Sequence, residues 1–161
     1  MTIVHAKNRA KGSSVIATED PSGVIQRKIK KYYTSALFVS PRHGALYNAF
    51  GSIYEQQNIT FAREIYDRGI AANCTDVIPV YHGYGQLELK AGNAQKAIDV
   101  MRQGLIECEK RVRNDDSSRL FHSLGMALLS NNEVEGAKVS WVFAALNAPH
   151  LNRPASKSPR I

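Results

Sequence analysis

The stretch Ala62-Arg63-Glu64-Ile65-Tyr66-Asp67-Arg68-Gly69-Ile70 decides the fold. A small residue at 62 is followed four positions later by a large one, Tyr66. Three positions after that comes a tiny one, Gly69. Offsets of 0, +4 and +7 fall on one stripe of a helix. The same spacing recurs in 29–37, 97–105 and 137–145, with Tyr33, Met101 and Trp141 as the large residues and Ala36, Gly104 and Ala144 as the tiny ones. The tiny positions let a neighbouring helix come close, and the large ones fill the space beside it.

A second pattern precedes three of these copies. Tyr47-x-x-Phe50-Gly51, Tyr81-x-x-Tyr84-Gly85 and Phe121-x-x-Leu124-Gly125 each place two bulky residues and a glycine on one helical face. Gly51 and Gly85 are 34 residues apart, and Gly85 and Gly125 are 40 apart. Asn58, Gly92-Asn93 and Asn131-Asn132 separate the two patterns, and both residue types tolerate the left-handed conformation that ends a helix. Pro41 and Pro149 stand five residues past the tiny positions of their copies, where a helix should stop. A period in the thirties with this layout reads as stacked helix-turn-helix units. The expected helices are 24–39, 45–57, 59–72, 77–91, 94–111, 118–130 and 133–147, with a polar connector at 113–118.

These residues resemble tetratricopeptide repeats. The 62–70 stretch and Tyr81-x-x-Tyr84-x-x-Leu87-Glu88 are more specifically similar to the half-a-tetratricopeptide (HAT) variant, over roughly residues 24–149. The third unit lacks the Arg and Glu of that pattern, and 99–103 departs from its Tyr-x-Arg form. The resemblance implies an all-α, right-handed α-α superhelix of about three hairpins preceded by one leading helix. It also implies a helical-repeat binding module in RNA processing or transcript maturation, with single-stranded RNA, a protein, or both as partner. The alternative is a general protein-interaction scaffold that does not touch RNA.

By length this is one domain. Residues 22–149 form the repeat domain, 1–21 a basic N-terminal tail expected to be disordered, and 150–161 a flexible tail. The stretch 1–18 is basic and acid-free, a composition also compatible with organelle targeting; it lacks the apolar segment of a secretory signal. Hydrophobic residues make up 43% of the chain, enough for a packed core, though a solenoid core is thin because each unit touches only its neighbours. Two cysteines, Cys74 and Cys108, are no disulfide framework, so a reducing intracellular compartment is expected, nucleus or organelle included. No apolar run approaches the roughly 18 residues of a membrane span. The net charge of +7 is uneven: +6 over 1–43, −2 over 44–108 and +3 over 109–161.

No phosphate-cradling glycine loop, zinc-spaced Cys/His pair or nucleophile motif is present, so neither a cofactor nor an enzymatic activity is expected. The tyrosines and Trp141 sit at repeat core positions and read as packing rather than as base-stacking platforms. First-helix residues Asn48, Ser52, His82, Gln86, His122 and Met126 are the candidate lining of a binding groove. His82 and His122 should be near neighbours within it. The set lacks the Lys/Arg/Asn cluster by which some tetratricopeptide repeats clamp a C-terminal carboxylate in chaperone partners. Lys30, Lys31, Arg63, Arg68, Lys96 and Arg102 are the candidate basic ridge, either tracking phosphates or forming a solvated charged face beside Glu64, Asp67 and Asp99. Finally, the leading helix carries Ile25, Ile29, Tyr32 and Ala36 on one row and Tyr33 and Leu37 beside it. That is more apolar surface than a terminal repeat should show, so self-association, missing upstream repeats or a partner is expected to cover it.

Overall fold

The computed structural model describes residues 21–111 and 117–148. These form seven α-helices: α1 (Pro21–Val39), α2 (Gly44–Tyr54), α3 (Ile59–Ala71), α4 (Ile78–Lys90), α5 (Ala94–Glu109), α6 (Ser118–Ser130) and α7 (Val134–Leu146). There is no strand among the described residues. The two expected tails, most of the 113–118 connector and Pro149 lie outside them.

Helices α2/α3, α4/α5 and α6/α7 pair as hairpins, and α4 and α6 also contact the hairpin before them. The turns are those the asparagines and glycine predict. Asn58 caps α3 by accepting a hydrogen bond from the Phe61 amide at 3.0 Å. Gly92 adopts φ +80°, and the next amide, Asn93, reaches back to the Glu88 carbonyl at 2.9 Å, closing the end of α4. Asn132 does the same job at φ 63°, with the Glu133 amide on the Leu128 carbonyl.

Each hairpin closes by insertion of a large residue over a glycine, reciprocally in the first two. Tyr47 lies over Gly69 and Tyr66 over Gly51; Tyr81 lies over Gly104 and Met101 over Gly85; Trp141 lies over Gly125. A methyl group added at Gly104 would stand 2.6 Å from Tyr81 Cβ, so the helices pack at a distance that only glycine allows there. Successive hairpins are joined by further apolar contact, including a Tyr66–Tyr84 ring stack at 5.4 Å.

The core is therefore serial. One cluster holds Tyr47, Phe50, Ile65, Tyr66, Val80, Tyr84 and Leu87 between the first two hairpins. A second holds Val77, Tyr81, Ile98, Met101, Leu120, Leu124 and Leu128 between the last two. Cys74 is buried and Cys108 half-buried, and neither is in a disulfide.

Polar groups also cross between hairpins. Asp76, in the loop before α4, accepts from the amides of Gly44 at 2.6 Å and Ala45 at 3.0 Å, so one hairpin supplies the N-terminal cap of another. Arg111 donates to the Cys74 carbonyl at 2.5 Å and to Asn73 Oδ1 at 2.7 Å.

The leading helix divides differently from the row read in the sequence. Ile29, Tyr33 and Leu37 pack on the first cluster, with Tyr33 stacked on Phe50 at 4.9 Å. Ile29 is thus a packing residue. The outward apolar side chains are Ile25, Tyr32 (70% exposed), Phe38 (89%) and Val39 (80%).

Candidate functional site

Asn48, His82 and His122 occupy one register on α2, α4 and α6, and Ser52, Gln86 and Met126 occupy the register four residues on. The structure divides this groove set in two. At the α2 end the polar groups are knit into the protein. Asn48 Oδ1 and Ser52 Oγ each lie 3.4 Å from the Tyr66 hydroxyl, and Asn48 also abuts Gly83 of the next hairpin. Burial, with Glu55 nearby, pushes the Tyr66 phenol up to about 12. Gln86 Nε2 donates to Ser123 Oγ at 2.8 Å, bridging α4 and α6.

The other end is open. His82 and His122 line one concavity of about 280 Å³, together with Ser118, Arg119, Ser123, Ala144 and Ala148. Burial lowers the His82 pKa, and the positive charges of Arg119, His122 and Lys90 lower it further. The expected proximity of the two histidines holds. Arg119 completes this cluster and is not part of the pattern that marked the groove. Its place on the first turn of α6, three residues before His122, was the available signal. Met126 stands 42% exposed beyond it.

Two of the six residues of the basic ridge, Arg63 and Lys96, are tied into a network around Glu88. Arg63 grips Glu88 with two parallel hydrogen bonds, Nε to Oε1 and a terminal nitrogen to Oε2, both 2.8 Å. Lys96 Nζ stands 2.7 Å from Glu88 Oε1 and 5.1 Å from the centre of the Tyr84 ring. Asn93 donates to Glu88 Oε2 at 2.8 Å. Glu88 itself is fully buried. Burial alone would raise its pKa, but the hydrogen bonds from Arg63, Lys96 and Asn93 outweigh that and hold the carboxyl at about 2. Lys30 lies over the Phe61 ring at 5.6 Å, and Arg102 is 3.9 Å from Glu133. Lys31 and Arg68 remain exposed.

Glu88 is thus the hub that sequence reasoning placed in a family pattern but not in this role. The signal was there: Tyr81, Tyr84 and Glu88 share a stripe on one helix, and an acid on a buried stripe needs cations. Among the described residues, no group of three or more His, Cys, Asp or Glu side chains could hold a metal ion, and no helix is long and apolar enough to cross a membrane.

No protein-family model matches the chain. Over 70 residues it is 31% identical to the pre-mRNA-splicing factor SYF1 of Dictyostelium discoideum. That stretch is 41% of this chain but 8% of the relative, so the chain spans under a tenth of that protein's length.

Proposed function

We propose that the chain is a helical-repeat module of the HAT type that acts as a protein-interaction scaffold in pre-mRNA processing, in the nucleus, without catalytic activity of its own. The observation that carries this reading is the 70-residue likeness to a pre-mRNA-splicing factor, joined to an array of hairpins with polar groups along its first helices. A scaffold is favoured over a phosphate-tracking surface because Arg63 and Lys96, at the centre of the basic ridge, are both engaged by Glu88, which cancels one of their two charges. The aromatic rings at the hairpin cores are buried too, Tyr66, Tyr81 and Tyr84 among them, so they offer no stacking platform for bases.

The test is co-purification of the full chain from nuclear extract, before and after nuclease treatment. Spliceosomal proteins should remain bound after the RNA is destroyed; their loss would overturn the reading. Titration of labelled single-stranded RNA at two salt concentrations separates the alternative. A direct RNA contact would show affinity falling steeply with salt, in proportion to the phosphates neutralised.

A further inference from the structure

We propose that His82, Arg119 and His122 form a docking site for one anionic side chain of an acidic partner peptide, laid across the first helices of the second and third hairpins. This deepens the scaffold reading and rests on it.

The concavity is lined by His82, His122, Arg119, Ser118 and Ser123 with Ala144 and Ala148, and among the described residues no carboxylate lines it. Several cations elsewhere in the molecule meet acids: Arg63 and Lys96 meet Glu88, Lys90 meets Glu55, Lys110 meets Glu107 and Lys138 meets Glu135. Here one guanidinium and two protonatable imidazoles share a space that, among the described residues, no acid lines. Among the described residues, the charged groups acting on His82 are Arg119 and His122 from α6 and Lys90 from its own helix. The α7 residues facing the space, Ala144 and Ala148, carry no charge. A carboxylate or phosphoryl group placed there gains charge-assisted hydrogen bonds from Arg119 and from each imidazole that takes up a proton from solvent beside it.

The surroundings favour a peptide over a nucleic acid. Along the same row the counterpart of His82 and His122 is the neutral Asn48, and the next register holds Ser52, Gln86 and Met126. A polynucleotide needs cations repeated along its backbone, whereas one positive spot in a neutral row suits a chain with one anionic side chain.

The experiment follows the imidazole NMR signals of His82 and His122 in the full chain, with His43, outside the concavity, as internal reference. The probes are hexaglutamate, a phosphoserine-bearing hexapeptide and hexauridylate. Both peptides should shift His82 and His122 saturably while His43 stays in place. Arg119→Gln, at an exposed position, should weaken peptide binding about tenfold, the worth of one charge-assisted hydrogen bond. Peptide affinity should rise as pH is lowered through the histidine range, because binding restores the proton that His82 lacks when free. Overturning results are a lack of saturable shift with both peptides, an unchanged affinity in Arg119→Gln, a flat pH profile, or tighter binding of hexauridylate than of either peptide. Nuclease-resistant co-purification that survives Arg119→Gln undiminished would overturn this site and leave the scaffold reading standing.

Discussion

Replacing Glu88 by glutamine keeps the shape of the side chain and removes its charge, which makes it the sharpest probe of how the first two hairpins are joined. Glu88 has no solvent exposure and accepts four hydrogen bonds or ion-pair contacts, two from Arg63 and one each from Lys96 and Asn93. Two estimates of the cost agree. A carboxyl held at about 2 instead of its ordinary 4.5 contributes about 3 kcal/mol at neutral pH. Breaking a buried ion pair by removing one partner costs about 3–5 kcal/mol, and the lower end applies because Arg63 and Lys96 are 29% and 47% exposed and regain water. Glu88→Gln should therefore destabilise by about 3 kcal/mol, a fall in Tm on the order of 10 °C for an array of this size. Circular dichroism melts at pH 7 would measure it. The sign with pH is fixed as well. The folded-state pKa is depressed, so the contribution is present above the unfolded-state value and is lost as pH falls from about 4.5 towards 2. The mutant should lack that part of the acid-induced loss. A melt within about 2 °C of the parent at pH 7, or an unchanged acid limb, would refute the reasoning.

Three further outcomes are expected. Gly85→Leu forces side-chain atoms into Met101, whose Cε would lie 2.5 Å from even a first methyl, and should cost about 1–3 kcal/mol by urea denaturation. Asp76→Ala removes the cap of α2 from across the hairpin boundary and should cost about 1 kcal/mol, with the amide of Gly44 becoming quick to exchange hydrogen. On the leading helix, Tyr33→Lys should destabilise markedly, since it loses the Phe50 stack, whereas Tyr32→Lys should leave the melt within about 0.5 kcal/mol of the parent. If Tyr32→Lys also disperses a dimer seen by sedimentation, that outward face mediates self-association.

The register of the helices was legible because it is written in side-chain size. Large residues at 47, 66, 81, 101 and 141 meet tiny ones at 69, 51, 104, 85 and 125, and such pairs recur at helical spacing whatever lies between them. Long-range polar partners were less legible. Nothing in the local pattern around Asp76 says that it caps a helix beginning 32 residues earlier, since that bond depends on how the hairpins stack. The acids expected to temper the basic ridge were its exposed sequence neighbours, yet the buried Glu88, 25 residues from Arg63, does so. In the groove, His82 and His122 were found by their shared register, while Arg119 reaches the same space from the preceding turn of α6. The leading helix failed in a smaller way. With apolar residues on more than one row, its pattern did not say which row would face α2, and Ile29 went inward with Tyr33.

The two joints of the array differ in their polar ties. The first is cross-linked by the buried Arg63–Glu88 pair, by Asp76 on the α2 amides and by Arg42 Nε on the Asn73 carbonyl at 3.0 Å. Across the second, among the described residues, the polar ties are neutral or long: Gln86 to Ser123, Asn131 to Gln95 at 3.3 Å, and Arg102 to Glu133 at 3.9 Å. A rod tied by charge at one joint and chiefly by neutral groups at the other should bend first at the second. Curvature imposed by a bound partner would then concentrate between α4/α5 and α6/α7, where His82 faces His122. The mouth of that concavity would open and close with the flexing of the rod, making its width a gauge of strain in the whole array.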